Sequence, residues 1–159
     1  MKFWLLKSEP ETFSIDDLSK KGRSQWDGVR NFEARNNLTA MKKGDLFIFY
    51  HSSVQPAGAV GVGKILKESY PDPTQFNKSS PYFDKRATPE KPLWFAPDVG
   101  PVCKFPEIVT LAQMRDDKAL SSMRILMKGS RLSVTPLEQR EFKRILQIAE
   151  CEKLIKLAV

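Results

Sequence analysis

Apolar residues fill both parities of the opening segment Lys2–Leu6, with Phe3 and Leu5 on one side and Trp4 and Leu6 on the other. Strand residues alternate between faces, so the pattern predicts a strand buried on both sides and stopped by Pro10. Ser14-Ile15-Asp16-Asp17 sets an N-cap and two acids at the start of a short helix that Lys20-Lys21-Gly22 closes. A polar loop follows, and Asn31 predicts the N-cap of a second helix over residues 32–40. Lys42-Lys43-Gly44-Asp45 then turns the chain into Leu46-Phe47-Ile48-Phe49-Tyr50, the most apolar run and the expected central strand. In Ala59–Ile65 valines alternate with glycines, leaving one face almost bare. Tight coiling of a small sheet is the expected reason, ahead of a ligand approaching the backbone.

Residues 71–106 hold eight of the eleven prolines, which predicts loop broken by strands near 93–95 and 101–105. Thr110-Leu111-Ala112-Gln113 reads as a capping box. Thr135-Pro136-Leu137-Glu138 reads as another, opening a last helix in which Phe142, Ile145, Leu146 and Ala149 recur at helical spacing. Strands and a few helices without βαβ alternation, and without a linker or repeat, predict one α+β domain over residues 1–159.

Charge narrows the choice of partner. Lys and Arg number 26 against 19 acids, a net +7 with an isoelectric point near 9.5, which favours polyanions. The apolar start ends at Lys7, too short for a signal peptide, and no stretch reaches the roughly 20 apolar residues of a membrane span. The expectation is a cytoplasmic protein that does not enter membranes, with Cys103 and Cys151 as reduced thiols. One histidine and two cysteines give no metal site, and no cofactor is expected. Oligomeric state is not legible.

The chemistry centres on Gln25-Trp26-Asp27-Gly28-Val29-Arg30-Asn31. It reads as a loop turning at Gly28, with a flat indole beside hydrogen-bonding groups. By itself it fits a core tryptophan and a surface arginine better than a ligand site. Its company is more specific. Phe3-Trp4-Leu5-Leu6-Lys7-Ser8-Glu9-Pro10, the central stretch running on through Ala34-Arg35-Asn36-Asn37, Tyr50-His51-Ser52 and Arg131-Leu132-Ser133-Val134 occur in the order that resembles the EVE domain family, over nearly the whole chain. EVE domains look like relatives of PUA and YTH modules. The resemblance implies a PUA-like pseudo-barrel of mixed sheet flanked by helices. It also implies binding of DNA or RNA that carries a modified base, 5-methylcytosine or a methyladenine, extruded into an aromatic pocket.

On that reading the base pocket is drawn from Lys7, Ser8 and Glu9, from Trp26, Gly28, Val29 and Asn31, and from Tyr50, His51, Ser52 and Ser133. Trp26 is the stacking wall, and Trp4, Tyr50 and Trp94 are candidates for the others. Arg30, Arg35 and Arg131 are the expected phosphate contacts. The alternative is a small hydrolase of modified nucleosides, like the related ASCH domains, with Lys7 and Glu9 as an acid/base pair. Binding rather than turnover is the expectation.

Overall fold

The two-sided strand at the start of the chain lies inside the sheet, as its pattern requires. A computed structural model describes residues 1–151, 153 and 154. Its strands are β1 (Phe3–Ser8), β2 (Ser24–Gln25), β3 (Leu46–His51), β4 (Gly58–Pro71), β5 (Phe95–Thr110) and β6 (Val134–Leu137). Four helices accompany them: α1 (Ile15–Lys21), α2 (Phe32–Ala40), α3 (Leu111–Arg115) and α4 (Gln139–Ile148). The six strands form one sheet in the order β2-β5-β4-β3-β1-β6. β1 runs parallel to β3, from Phe3 opposite Leu46 to Ser8 opposite His51, and every other pairing is antiparallel. The sheet is therefore mixed and open, with β2 and β6 as its edges, and the fold is α+β. No helix among the described residues is long and apolar enough to cross a membrane.

Each face of the sheet carries its own core. Phe3 and Leu5 join Ile48, Tyr50, Val62 and Phe105 beneath α4, which buries Phe142, Ile145 and Leu146. Each of those three side chains stabilises the packing by about 1.5–3 kcal/mol. On the other face Trp4 and Leu6 meet Phe47, Phe49 and Trp26 beneath α1 and α2, which supply Leu18 and Leu38. Asp45, 3% exposed, fastens β1 to the turn before β3 by accepting from Lys2 N, Trp4 Nε1 and Lys42 N.

The helix starts are locally encoded. Ser14 and Asp17 close a reciprocal capping box on α1, and Asn31 Oδ1 accepts from Ala34 N at the start of α2. Thr110 and Gln113 do the same for α3. Thr135-Pro136-Leu137-Glu138 behaves differently. Val134–Leu137 form the edge strand β6, with Thr135 opposite Leu5 and Pro136 opposite Trp4. An edge strand tolerates a proline, and the helix begins three residues later, where Glu138 N donates to Glu141 Oε1. The two short strands expected near 93–95 and 101–105 are one strand, β5, of 16 residues. Its prolines are accommodated by register shifts against β4, one of them between Val62 and Gly63, where Gly63 faces Pro101.

Those shifts also explain the glycines. A Cβ on Gly61 would collide with the Ile15 side chain and the Cys103 carbonyl, and one on Gly63 with the Phe47 ring. The bare face is thus filled by core side chains. Gly61→Ala is expected to destabilise the fold by about 1–3 kcal/mol, because the neighbouring carbonyl cannot yield as a flexible side chain does. A urea titration reads this, and an unchanged midpoint would show that the strands have slack there.

Candidate functional site

The loop between β2 and α2 is held from both sides. At its start Trp26 N donates to Pro97 O at 2.9 Å, and Gln25 Nε2 donates to Tyr70 O and Ala96 O. At its middle Gly28 N donates to Asp72 Oδ2 at 2.9 Å. Gly28 is required twice over: its φ is +84°, and a Cβ would stand 2.8 Å from the Tyr82 ring. At its end Arg30 donates through Nη1 to Asp72 Oδ2 at 3.0 Å, through Nη2 to Thr74 Oγ1 and through Nε to Tyr82 O. Asp72 also accepts from Thr74 N and Thr74 Oγ1. Burial alone would raise its pKa, but the bonds from Thr74, Gly28 and Arg30 outweigh burial and hold the carboxyl below its usual range.

Between this loop and the exit of β1 lies a cavity of about 640 Å³. Three aromatic residues line it: Phe13, Trp26 and Tyr82. Trp26 is only 6% exposed and is edge-packed against Phe47 and Phe49, so it is a core residue and a wall at once. Lys7 and Ser8 at the end of β1 and Glu9 just past it line the cavity with Ser133, which precedes β6 and whose carbonyl accepts from Lys7 N at 2.8 Å. Ser8 Oγ donates to Phe13 O at 2.7 Å, which ties the strand exit to the aromatic wall. Burial pushes the Lys7 amine down from its usual value, and its Nζ lies 5.9 Å from the centre of the Tyr50 ring. Asp27, reached by solvent on one side, has its carboxyl pushed up, first by partial burial and then by the charge of Asp72. Hydrogen-bonding groups of both signs thus face a space with aromatic sides, which suits a planar polar ligand.

The EVE domain family pattern matches residues 2–148. The chain belongs to that family. It is 42% identical to thymocyte nuclear protein 1 of Mus musculus, a match covering 94% of this chain and 74% of the relative. A crystal structure of a Pseudomonas syringae protein superposes with a TM-score of 0.90 at 46% identity, over 92% of this chain and 99% of the other. The crystal structure of human THYN1 protein in complex with 5-methylcytosine-containing DNA superposes with a TM-score of 0.89 at 38% identity, over 94% and 98% of the two chains.

Seven of the residues expected in an EVE base pocket lie around this one cavity: Lys7, Ser8, Glu9, Trp26, Gly28, Val29 and Ser133. Four do not line it. Asn31 is spent on the α2 cap. Tyr50, 3% exposed, packs in the core of the opposite sheet face. His51 Nε2 accepts from Ile15 N at 3.1 Å, and burial lowers the ring's pKa, favouring the neutral form that such acceptance requires. Ser52 continues the strand exit through Ser52 N to Ser8 O.

The three arginines also divide. Arg30 lines the cavity, and its guanidinium donates to Asp72, Thr74, Tyr82 O and Val29 O, so that it clamps the loop. Arg35 donates to Leu93 O and Asn36 and lies over the Phe32 ring at 4.8 Å, outside the cavity. Arg131 is exposed, two residues from Ser133. The further aromatic walls are Phe13 and Tyr82. Trp4 is buried with its Nε1 on Asp45, and Trp94 is buried with its Nε1 on Asp84. Tyr82 sits in the proline-rich loop, and Phe13 in the turn before α1. Neither carries a periodicity that would mark it.

Asp72→Asn tests the clamp. Burying the amide in place of the ion is expected to cost about 1–3 kcal/mol at pH 7 by weakening the bonds from Arg30, Gly28 and Thr74. Because the folded-state pKa is depressed, this stabilisation is complete above the ordinary value of 3.8 and is lost as pH falls through the lowered one. The gap between wild type and variant should therefore close in acid, as followed by thermal melts across pH. A gap that widened in acid would contradict the clamp.

Proposed function

We propose that this protein binds DNA containing 5-methylcytosine, taking the modified base out of its stack and into the cavity between β1 and the Trp26–Asn31 loop. The cavity carries the reading. It combines aromatic sides with unmatched polar groups, and it is roomy enough for a pyrimidine without rearrangement. The complex of human THYN1 with 5-methylcytosine-containing DNA, a chain 38% identical over nearly all of this one, supports it. So does the net charge of +7, which favours a polyanion. RNA shares that charge and base chemistry and is the natural second ligand to assay.

The test is anisotropy titration of labelled duplexes differing in one methyl group, with the same samples chromatographed for product. Burying a methyl group is worth about 0.8 kcal/mol, so the methylated duplex should bind about fourfold more tightly. Equal affinity for the two, or appearance of a converted base, would defeat the proposal. Arg131→Ala should weaken both duplexes alike and make the slope of log K against log salt shallower by about 0.9, as expected for one lost phosphate contact. A changed methyl preference at constant slope would place Arg131 on the base instead.

A further inference from the structure

We propose that Asp27 reads the exocyclic amino group of the base held in the cavity and thereby separates 5-methylcytosine from thymine. The inference rests on the base-binding reading above and deepens it. Thymine carries the same methyl group at the same ring position, so aromatic walls and methyl burial cannot tell the two apart. They differ on the polar edge, where cytosine presents an amino donor and thymine a carbonyl acceptor. Discrimination therefore needs an acceptor fixed at that edge.

Asp27 has the required properties. It lines the cavity between two aromatic contributors, next to Trp26 and beside Gly28, on which the Tyr82 ring packs. The backbone on both sides of it is anchored, by Trp26 N on Pro97 O and by Gly28 N on Asp72. Neighbouring acids are occupied: Asp72 by Gly28, Arg30 and Thr74, and Asp98 by Arg23 and Tyr70. Among the described residues no other residue donates to the Asp27 carboxylate, and it forms no ion pair. Glu9, the other acid of the cavity, is exposed to solvent as Asp27 is, but it sits at the strand exit and not within the clamped loop.

The charges facing Asp27 explain why a ligand donor would be welcome. Asp72 repels it, Lys21 and Arg30 attract it, and partial burial is the largest effect, so its ionised form is under-compensated in the free protein. Glu9 lines the same cavity, the Lys7 amine is turned toward the Tyr50 ring, and Tyr70 lies within reach of the field of Asp27. An amino group supplies the missing donor, whereas the thymine carbonyl would set one acceptor against another. As pH falls and Asp27 takes up a proton, it becomes able to donate to that carbonyl, and the discrimination narrows.

The experiment compares two duplexes of one sequence, with 5-methylcytosine or thymine opposite the same guanine, using the whole chain. The mispaired thymine leaves its stack more easily, so preference for 5-methylcytosine is measured against a bias. Wild type should prefer 5-methylcytosine by about tenfold or more. Asp27→Ala should bring the ratio to within about threefold. Asp27→Asn, which keeps the shape and adds a donor, should do so by gaining thymine affinity. A ratio unchanged in either folded variant overturns the assignment while leaving base binding intact. A wild type that binds methylated and unmethylated cytosine equally overturns the base-binding reading and this inference with it.

Discussion

Asp72 is 1% exposed, and four hydrogen bonds from three residues converge on its carboxylate. Two of those residues, Gly28 and Arg30, belong to the loop that walls the cavity. The third, Thr74, closes a ring, because its hydroxyl donates to Asp72 and accepts from Arg30 Nη2. A buried ion pair is a weak source of stability by itself, since desolvation consumes much of the attraction. Its value here is geometric. It fixes a glycine at positive φ against the Tyr82 ring and so decides where Trp26 and Asp27 stand. A loop with only water as its partner would have to lose that freedom on binding.

The clamp continues outward as a stack. The Arg30 guanidinium lies 5.7 Å from the Tyr82 ring centre and 5.3 Å from that of Trp94. Trp94 in turn stacks on Phe32 at 4.7 Å and 19°, and Arg35 covers Phe32 from α2. Gln75, fully buried, binds the backbone of Leu93 and Trp94 and the carbonyl of Asp72 with its amide. The proline-rich region therefore has little regular structure but a dense polar and cation–π framework. It is a buttress for the site loop, which is why it can be irregular without being loose.

What the sequence disclosed and what it hid follow from range. The β1 alternation, the Ser14 and Asn31 caps and the α4 periodicity are local patterns, and each appears in the structure where it was read. The edge strand at Thr135-Pro136 was hidden because a Thr-Pro-x-Glu string serves a helix start as readily as a proline-tolerant edge, and only the pairing with Leu5 and Trp4 decides. Strand β2 has two residues, too few for any period. Around the cavity, the motif residues of β1 and the Trp26 loop were legible through family resemblance. Phe13 and Tyr82 were not, since nothing along the chain marks them as neighbours of Trp26 and Gly28, and Asp27 stands inside the Trp26 stretch with nothing of its own to set it apart. The clamp at Arg30 was hidden for the same reason, since Asp72 lies 42 positions away along the chain.

Trp26 shows how fold and recognition are coupled. One surface of its indole completes the core of Phe47 and Phe49, and the remainder faces the cavity. Among the described residues no acceptor takes its Nε1–H and no buried side-chain donor is left unsatisfied, so that N–H faces open space. Removing the ring would create a core void, a cost of about 3–5 kcal/mol before any ligand is considered. The aromatic wall is therefore under two constraints and has little freedom to vary. Polar groups at the rim carry no such burden: among the described residues the Asp27 carboxylate pairs with no other side chain. Differences in what a cavity of this shape accepts should accordingly be written in its unpartnered polar residues, while Trp26 stays fixed by the core behind it.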